Sequence, residues 1–168
     1  MTRRLILLLL LTVCGLAPGT TAFAFDEHDW RAERKGLFGH RWICLSPRCG
    51  THAAVSYEAQ VFFPVYTLLD FETHWRKRGH KNPNVPQAIT QLGLFRRINS
   101  YDESDGDLRH YTVIMRHREP NGAIDYVAGG YMARGLQAYD LLSLAPTADQ
   151  AEANLQLLVE EVKPLLAR

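Results

Sequence analysis

The sequence has few cysteines, no excess of charge of one sign and none of the short motifs that mark common catalytic sites. It holds three cysteines, and 19 basic against 18 acidic residues give a formal charge of +1. A near-neutral chain argues against nucleic acid as the partner, because phosphate backbones are bound by a basic excess. The serine-hydrolase elbow, the zinc motif His-Glu-x-x-His and glycine-rich phosphate loops are all missing. These absences favour a non-enzymatic protein.

Long hydrophobic runs are also missing, with one exception at the N terminus. Two arginines precede the apolar run of residues 5–13, and residues 22–24 (Ala-Phe-Ala) have the small-x-small form of a cleavage site. This is the pattern of a secretory signal peptide, and the run is shorter than the about 20 residues of a membrane-spanning helix. We predict a cleaved signal peptide over residues 1–24 and a single α+β domain over residues 25–168, located in the periplasm or secreted, with no transmembrane helix.

Removal of the signal peptide changes the cysteine count and the charge. Cys14 and two arginines are lost, so the basic residues fall from 19 to 17 against 18 acidic ones. The two remaining cysteines, Cys44 and Cys49, are predicted to form a disulfide, because the compartment is oxidising. An alternative interpretation takes residues 11–14 as a lipoprotein box, in which a lipid on Cys14 anchors the chain to a membrane.

The same two cysteines belong to the one cluster of soft metal ligands in the sequence. His52 follows Cys49 by three residues, and His40 precedes Cys44 by four. Two thiolates and two imidazoles suit zinc or copper, so a periplasmic metal-binding protein that uses Cys44, Cys49, His52 and also His40 is the alternative function. The disulfide interpretation requires no cofactor, and the spacing is not that of a standard zinc knuckle.

A basic segment with aromatic neighbours is the first candidate for partner binding. Clustered cations beside aromatic rings favour an anionic envelope component or an envelope protein as the partner. The candidate interface consists of Tyr66, Phe71, Trp75, Arg76, Lys77 and Arg78. The main functional prediction is therefore an exported accessory or binding protein stabilised by one disulfide. An envelope enzyme that brings a histidine and a carboxylate together only on folding is the third alternative.

The C-terminal part carries the clearest structural pattern. Thr147 and Gln150 form a capping box, and the apolar stripe that follows predicts an amphipathic helix. Gly129-Gly130 is expected to form a β-bulge. Three strands in an antiparallel meander are predicted at residues 111–116, 124–132 and 136–144.

The N-terminal part is less regular because proline and glycine interrupt it. The pattern predicts a short helix or loose arm over residues 25–35 and a loop over residues 36–51. Residues 55–71 are predicted to form two short strands or one edge strand bent at Pro64, and residues 85–98 a second helix. The predicted fold class is α+β. An antiparallel sheet, formed by the C-terminal meander and earlier strands, is covered on one face by the C-terminal amphipathic helix and the second helix.

The order of the C-terminal elements resembles that of small exported domains of the PsbP/Mog1-like type. The resemblance rests on the three strands of the meander, the glycines of the middle strand and the capped helix over residues 147–162. It implies helices packed on an antiparallel sheet and an accessory or binding role. It covers the C-terminal third of the chain and carries over no site residue.

Overall fold

In the part of the chain that the structure describes, seven strands form one antiparallel sheet, and two helices pack against it. The computed structural model describes residues 24–35, 39–60, 67–78, 95–118 and 122–167. The order of strands across the sheet is β1-β2-β3-β7-β6-β5-β4. The strands are β1 Trp30–Lys35, β2 Gly39–Cys44, β3 Ala54–Ala59, β4 Phe95–Asp102, β5 Arg109–Arg118, β6 Ile124–Arg134 and β7 Gln137–Ala145. The helices are α1 Leu68–Arg78 and α2 Ala148–Val162, and a 3-10 helix follows at Lys163–Ala167. The predicted α+β class is confirmed.

The C-terminal meander and its helix are where the sequence placed them. Strands β5, β6 and β7 pair consecutively and antiparallel. Thr147 has an extended backbone, and its Oγ1 accepts a hydrogen bond of 3.2 Å from the Gln150 backbone N–H. The predicted N-cap is therefore confirmed, and α2 begins at Ala148. No helix in the described part of the chain is long and apolar enough to cross a membrane.

The N-terminal part contains more strand than the sequence predicted. Residues 30–35, predicted as helix or arm, form β1, and residues 39–44 of the predicted loop form β2. Trp30 pairs with Cys44, and Trp42 pairs with Val55 of β3. These short strands are stabilised by their neighbours in the sheet rather than by local propensity, so the sequence pattern alone did not identify them.

The second helix also differs from the prediction. Most of the predicted helix over residues 85–98 lies outside the described residues, and its last part, from Phe95, belongs to strand β4. The described chain instead has helix α1 earlier in the sequence. This helix includes Phe71, which ends the segment predicted to be strand. The bend expected at Pro64 lies outside the described residues.

The two helices lie on opposite faces of the sheet. Leu155 and Leu158 of α2 join a cluster with Ile114 of β5, whereas Phe71 of α1 joins a second cluster with Val113. Because consecutive residues of a strand point to opposite faces, Val113 and Ile114 mark the two sides. The expectation that both helices cover one face is not confirmed.

The close packing of α1 on the sheet explains Gly129, the first residue of the Gly129-Gly130 pair. Both keep regular pairing with β5 and β7, so the predicted bulge is wrong at this position. A Cβ atom on Gly129 would lie 2.4 Å from Cε2 of Trp75, and one on Gly130 would lie 3.4 Å from Cδ1 of Leu155. Gly129 therefore allows close contact between β6 and α1, whereas the tightest contact of a Cβ at position 130 would be with Leu141 of the neighbouring strand β7, at 3.1 Å. The register shift within the described ladders is in β4, between Arg97 and Asn99.

Candidate functional site

The connection between β2 and β3 is closed by the predicted disulfide. The Cα atoms of Cys44 and Cys49 are 5.8 Å apart, and their sulfur atoms are bonded. Both residues are buried in the hydrophobic cluster that also contains Ile114 and lies on the α2 face of the sheet. The disulfide is confirmed, and its burial indicates a structural role, because reactive cysteines are partly exposed.

Contacts with the rest of the molecule hold the disulfide loop in place. Asn154 of α2 is buried, and its Nδ2 donates a hydrogen bond of 2.8 Å to the Cys49 carbonyl. Arg48 forms an ion pair of 3.4 Å with Asp29. Gly50 has a φ of +98°, and a Cβ there would lie 3.0 Å from Pro146. These contacts connect the loop to α2 and to the segment before β1.

The geometry does not favour the alternative metal site. The disulfide occupies both sulfur atoms, so neither is a thiolate ligand in this form. His40 lies four residues from Cys44 on an extended strand, a separation of about 13 Å between Cα atoms. Its ring stacks on Trp42 and Tyr57, with centroid distances of 5.9 and 5.1 Å. His52 is exposed. The described residues contain no group of three or more His, Cys, Asp or Glu arranged to hold a metal.

Tyr57 lies at the centre of an aromatic row on the α2 face. Its ring contacts those of His40, Trp42 and Tyr139. Burial, together with the charges of Glu161 and Tyr139, raises the pKa of Tyr57 to about 12. Its phenol therefore stays protonated at physiological pH and offers no activated oxygen.

The predicted aromatic interface is divided between the core and residues that are not described. Phe71 is completely buried, and Trp75 is 9% exposed. Their spacing of four residues places both rings on the helix side that packs on Tyr111 and Gly129. These two rings therefore pack in the core and are not exposed to a partner. Tyr66 lies outside the described residues.

The basic end of α1 points towards one end of the sheet. Phe71 contacts Tyr111, and Trp75 contacts Gly129, which pairs with Val113. The helix therefore advances along β5 towards Arg116, and its last residues Arg76–Arg78 follow in that direction. A role of this basic segment in partner binding stays a prediction.

Three further arginines lie at the same end of the sheet, on the face that carries α2. Arg96 of β4 is directly opposite Arg116 of β5, and Arg118 is two residues further along β5. Arg116 alternates with Met115 and therefore shares the face of Ile114. Arg96 and Arg118 are exposed and Arg116 is half-buried. We call these three residues the arginine surface.

The arginine surface has no acidic counterpart in the described part of the chain. Arg97, the neighbour of Arg96, points to the other face and pairs with Glu72 at 2.5 Å. None of the three surface arginines forms such an ion pair with a described residue. Like charges directly opposite on adjacent strands are destabilising. The surface is therefore suited to bind an external anion.

An apolar border adjoins the arginine surface on β6. Tyr126 is directly opposite Arg116, and Ile124 is directly opposite Arg118. Tyr126 is half-buried and packs against the hydrophobic cluster on the α2 face, whereas Ile124 is 37% exposed. The combined surface presents cations on two strands and apolar side chains on the third.

The sequence holds a signal for the arginine surface that is visible only once the strand is known. Arg116 and Arg118 are separated by one residue, and in a strand this spacing places two side chains on one face. Arg96 falls in a segment whose apolar spacing predicted a helix, so its pairing with Arg116 was not foreseen.

A buried histidine and a glutamate form a second polar contact near the end of α2. His110 is 6% exposed, and its Nδ1 lies 3.5 Å from Oε2 of Glu103. Burial lowers the pKa of His110, Lys163 lowers it further, and Glu103 and Asp102 oppose the change. The imidazole is therefore neutral in the folded protein at neutral pH. No described nucleophile is placed beside it by a hydrogen bond.

The chain matches no protein-family model, and comparison with curated proteins also finds no match. The resemblance to PsbP/Mog1-like domains therefore stays a prediction.

Proposed function

We propose that this protein is an exported accessory protein that binds an envelope protein or an anionic envelope component and catalyses no reaction. Residues 1–24 are removed on export, and residues 25–168 act as one domain. The single observation that carries the binding role is the arginine surface, three cations at one end of the sheet without an acidic partner among the described residues.

The location is supported by two independent features of the chain. The N-terminal residues have the pattern of a signal peptide. The disulfide between Cys44 and Cys49 belongs to the class of bonds that persist in oxidising compartments. Together they favour the periplasm or the extracellular space.

The binding role is supported by the unfavourable position of the arginines. Arg96 and Arg116 repel each other across the β4–β5 ladder, although either position would accept a neutral side chain. An anion from outside the chain removes this repulsion. Because the mature charge is close to zero, the local excess of cations is not a consequence of general basicity.

Export and oxidation are tested together by intact-mass measurement of protein from separated cell fractions. The expected species is extracytoplasmic, begins at Phe25 and is two hydrogens lighter than the reduced chain. A Cys44→Ser/Cys49→Ser variant is the control for the mass difference. A full-length cytoplasmic species would refute the proposed location. Reduced thiols with bound copper or zinc would instead favour the metal-binding function.

Binding is tested by photo-crosslinking in cells. In one variant a photoreactive side chain replaces Ile124, beside the arginine surface. In the control variant the same side chain replaces Arg41, which is exposed on β2 near the opposite edge of the sheet. We expect a discrete envelope adduct from position 124 and none from position 41. Equal labelling from both positions, or none from either, would contradict the proposed binding surface.

A further inference from the structure

We propose that the arginine surface is a binding site for phosphate groups. This inference deepens the proposed function by naming the chemistry of the partner, and it rests on that function only for the compartment that supplies the ligand. The site consists of Arg96, Arg116 and Arg118, with Ile124 and Tyr126 as its apolar border.

The register of the strands brings the three cations close together. Directly opposite residues of an antiparallel pair have Cβ atoms about 4.5–5.5 Å apart, which applies to Arg96 and Arg116. Arg118 is two residues further along the same strand, about 7 Å away, and points to the same face. Arginine side chains are long enough to converge from these positions on one anionic group.

The type of cation favours phosphate. The guanidinium group is planar and always charged, and it presents paired N–H donors that match phosphate oxygens in a bidentate arrangement. All three positions are arginine, and none is lysine. A surface that served only solubility would not require three arginines on one face, two of them at directly opposed positions.

The surroundings of the three arginines also favour a phosphate ligand. In the described chain no carboxylate pairs with these arginines. In contrast, Arg31 and Arg41, on β1 and β2 at the opposite edge of the sheet, flank Glu33. The exposed Ile124 adds an apolar contact next to the cations. This combination suits a phosphate group carried by a lipid headgroup, and equally a free phosphate compound.

The experiment compares the purified protein with two double variants of equal charge. Arg96→Gln/Arg116→Gln removes two cations from the site, and Arg31→Gln/Arg41→Gln removes two exposed cations elsewhere. The probes are inorganic pyrophosphate, measured by calorimetry, and vesicles of equimolar phosphatidylcholine and phosphatidylglycerol, measured by sedimentation. Pure phosphatidylcholine vesicles are the control. Circular dichroism checks that each variant is folded.

We expect wild type to bind at least one phosphate probe and the site variant to bind it about 30-fold more weakly, from about 1 kcal/mol for each arginine. The control variant should bind within about twofold of wild type. Binding to pyrophosphate alone identifies a free phosphate compound as the ligand source. Binding to the anionic vesicles, and not to pure phosphatidylcholine, identifies a lipid headgroup.

Two results would overturn the inference. One is the absence of binding to both phosphate probes, and the other is an equal loss in the two double variants, which would indicate unspecific attraction. If either occurs while position 124 still crosslinks in cells, the binding function stands and its partner is not a phosphate compound. If the protein is not exported, the proposed function fails whatever the binding result.

Discussion

Replacing Gly129 with alanine is expected to destabilise the protein by about 2 kcal/mol. A Cβ there would lie 2.4 Å from Cε2 and 2.5 Å from Cζ2 of the Trp75 indole, whereas ordinary contacts begin near 3.4 Å. The ring or the whole of α1 must therefore move by about 1 Å. Overpacking costs about 1–3 kcal/mol, and an overlap of about 1 Å with a buried indole belongs at the upper end of this range, about 3 kcal/mol. Alanine recovers about 0.5–1 kcal/mol of that cost, because glycine loses more conformational freedom in a strand.

A double-mutant cycle with Trp75 isolates the steric cause. In a Trp75→Leu background the indole is gone, so the Gly129→Ala substitution should be neutral or slightly stabilising. The expected coupling between the two positions is about 2–3 kcal/mol, within the range for residues in direct contact. Gly130→Ala is the matched control, because its Cβ would meet Leu141 at 3.1 Å and Leu155 at 3.4 Å. It should change stability by less than about 1 kcal/mol.

The assay is urea unfolding followed by far-ultraviolet circular dichroism, which does not depend on the substituted indole. The free energy of unfolding is compared among wild type and the variants, with attention to the slope of each transition. Equal stability of Gly129→Ala and Gly130→Ala would contradict a steric role of Gly129. So would an undiminished loss from Gly129→Ala in the Trp75→Leu background, because the packing of α1 on Gly129 would then not be the cause.

Three further predictions concern stability. Cys44→Ser/Cys49→Ser should lower the free energy of unfolding by about 2 kcal/mol, from the loss of a short closed loop, and dithiothreitol should reproduce that loss in wild type alone. Asn154→Ala should cost about 2 kcal/mol in the same assay, because it leaves the buried Cys49 carbonyl without its donor; a loss below 0.5 kcal/mol would show that water replaces this bond. Burial lowers the pKa of His110, so the unfolded chain takes up this proton first and stability should fall as the pH drops from about 7.5 to about 5.5. The midpoint of thermal unfolding should follow this trend, and His110→Gln should weaken it while His28→Gln, at an exposed position, should not.

Much of the C-terminal fold was predictable because its signals are local. Thr147 and Gln150 cap α2 within one turn, and the consecutive strands β5 to β7 are joined by short connections. Strands β1 and β2 were not predictable, because the partner that stabilises Trp42 lies beyond the disulfide loop. Strand β4 is stabilised in the same way by β5, although its apolar spacing predicted a helix.

The same contrast between local signals and contacts of distant segments applies to the candidate site. The disulfide was predictable from the number of cysteines, since only Cys44 and Cys49 lie outside the predicted signal peptide. The burial of Phe71 and Trp75 was not predictable, because the exposure of a side chain depends on what packs against its helix. The arginine surface was missed because its members are far apart in the chain.

Local sequence was sufficient to identify the signal-peptide pattern, the pairing of Cys44 with Cys49 and the capped C-terminal helix. Each of these depends on residues close together in the chain or on a count of residues. The three-dimensional fold was needed to show that the described helices lie on opposite faces, that Gly129 allows the close approach of α1, and that Arg96 is opposite Arg116. These features arise from pairing between strands and packing between layers, whose partners are chosen by the whole fold.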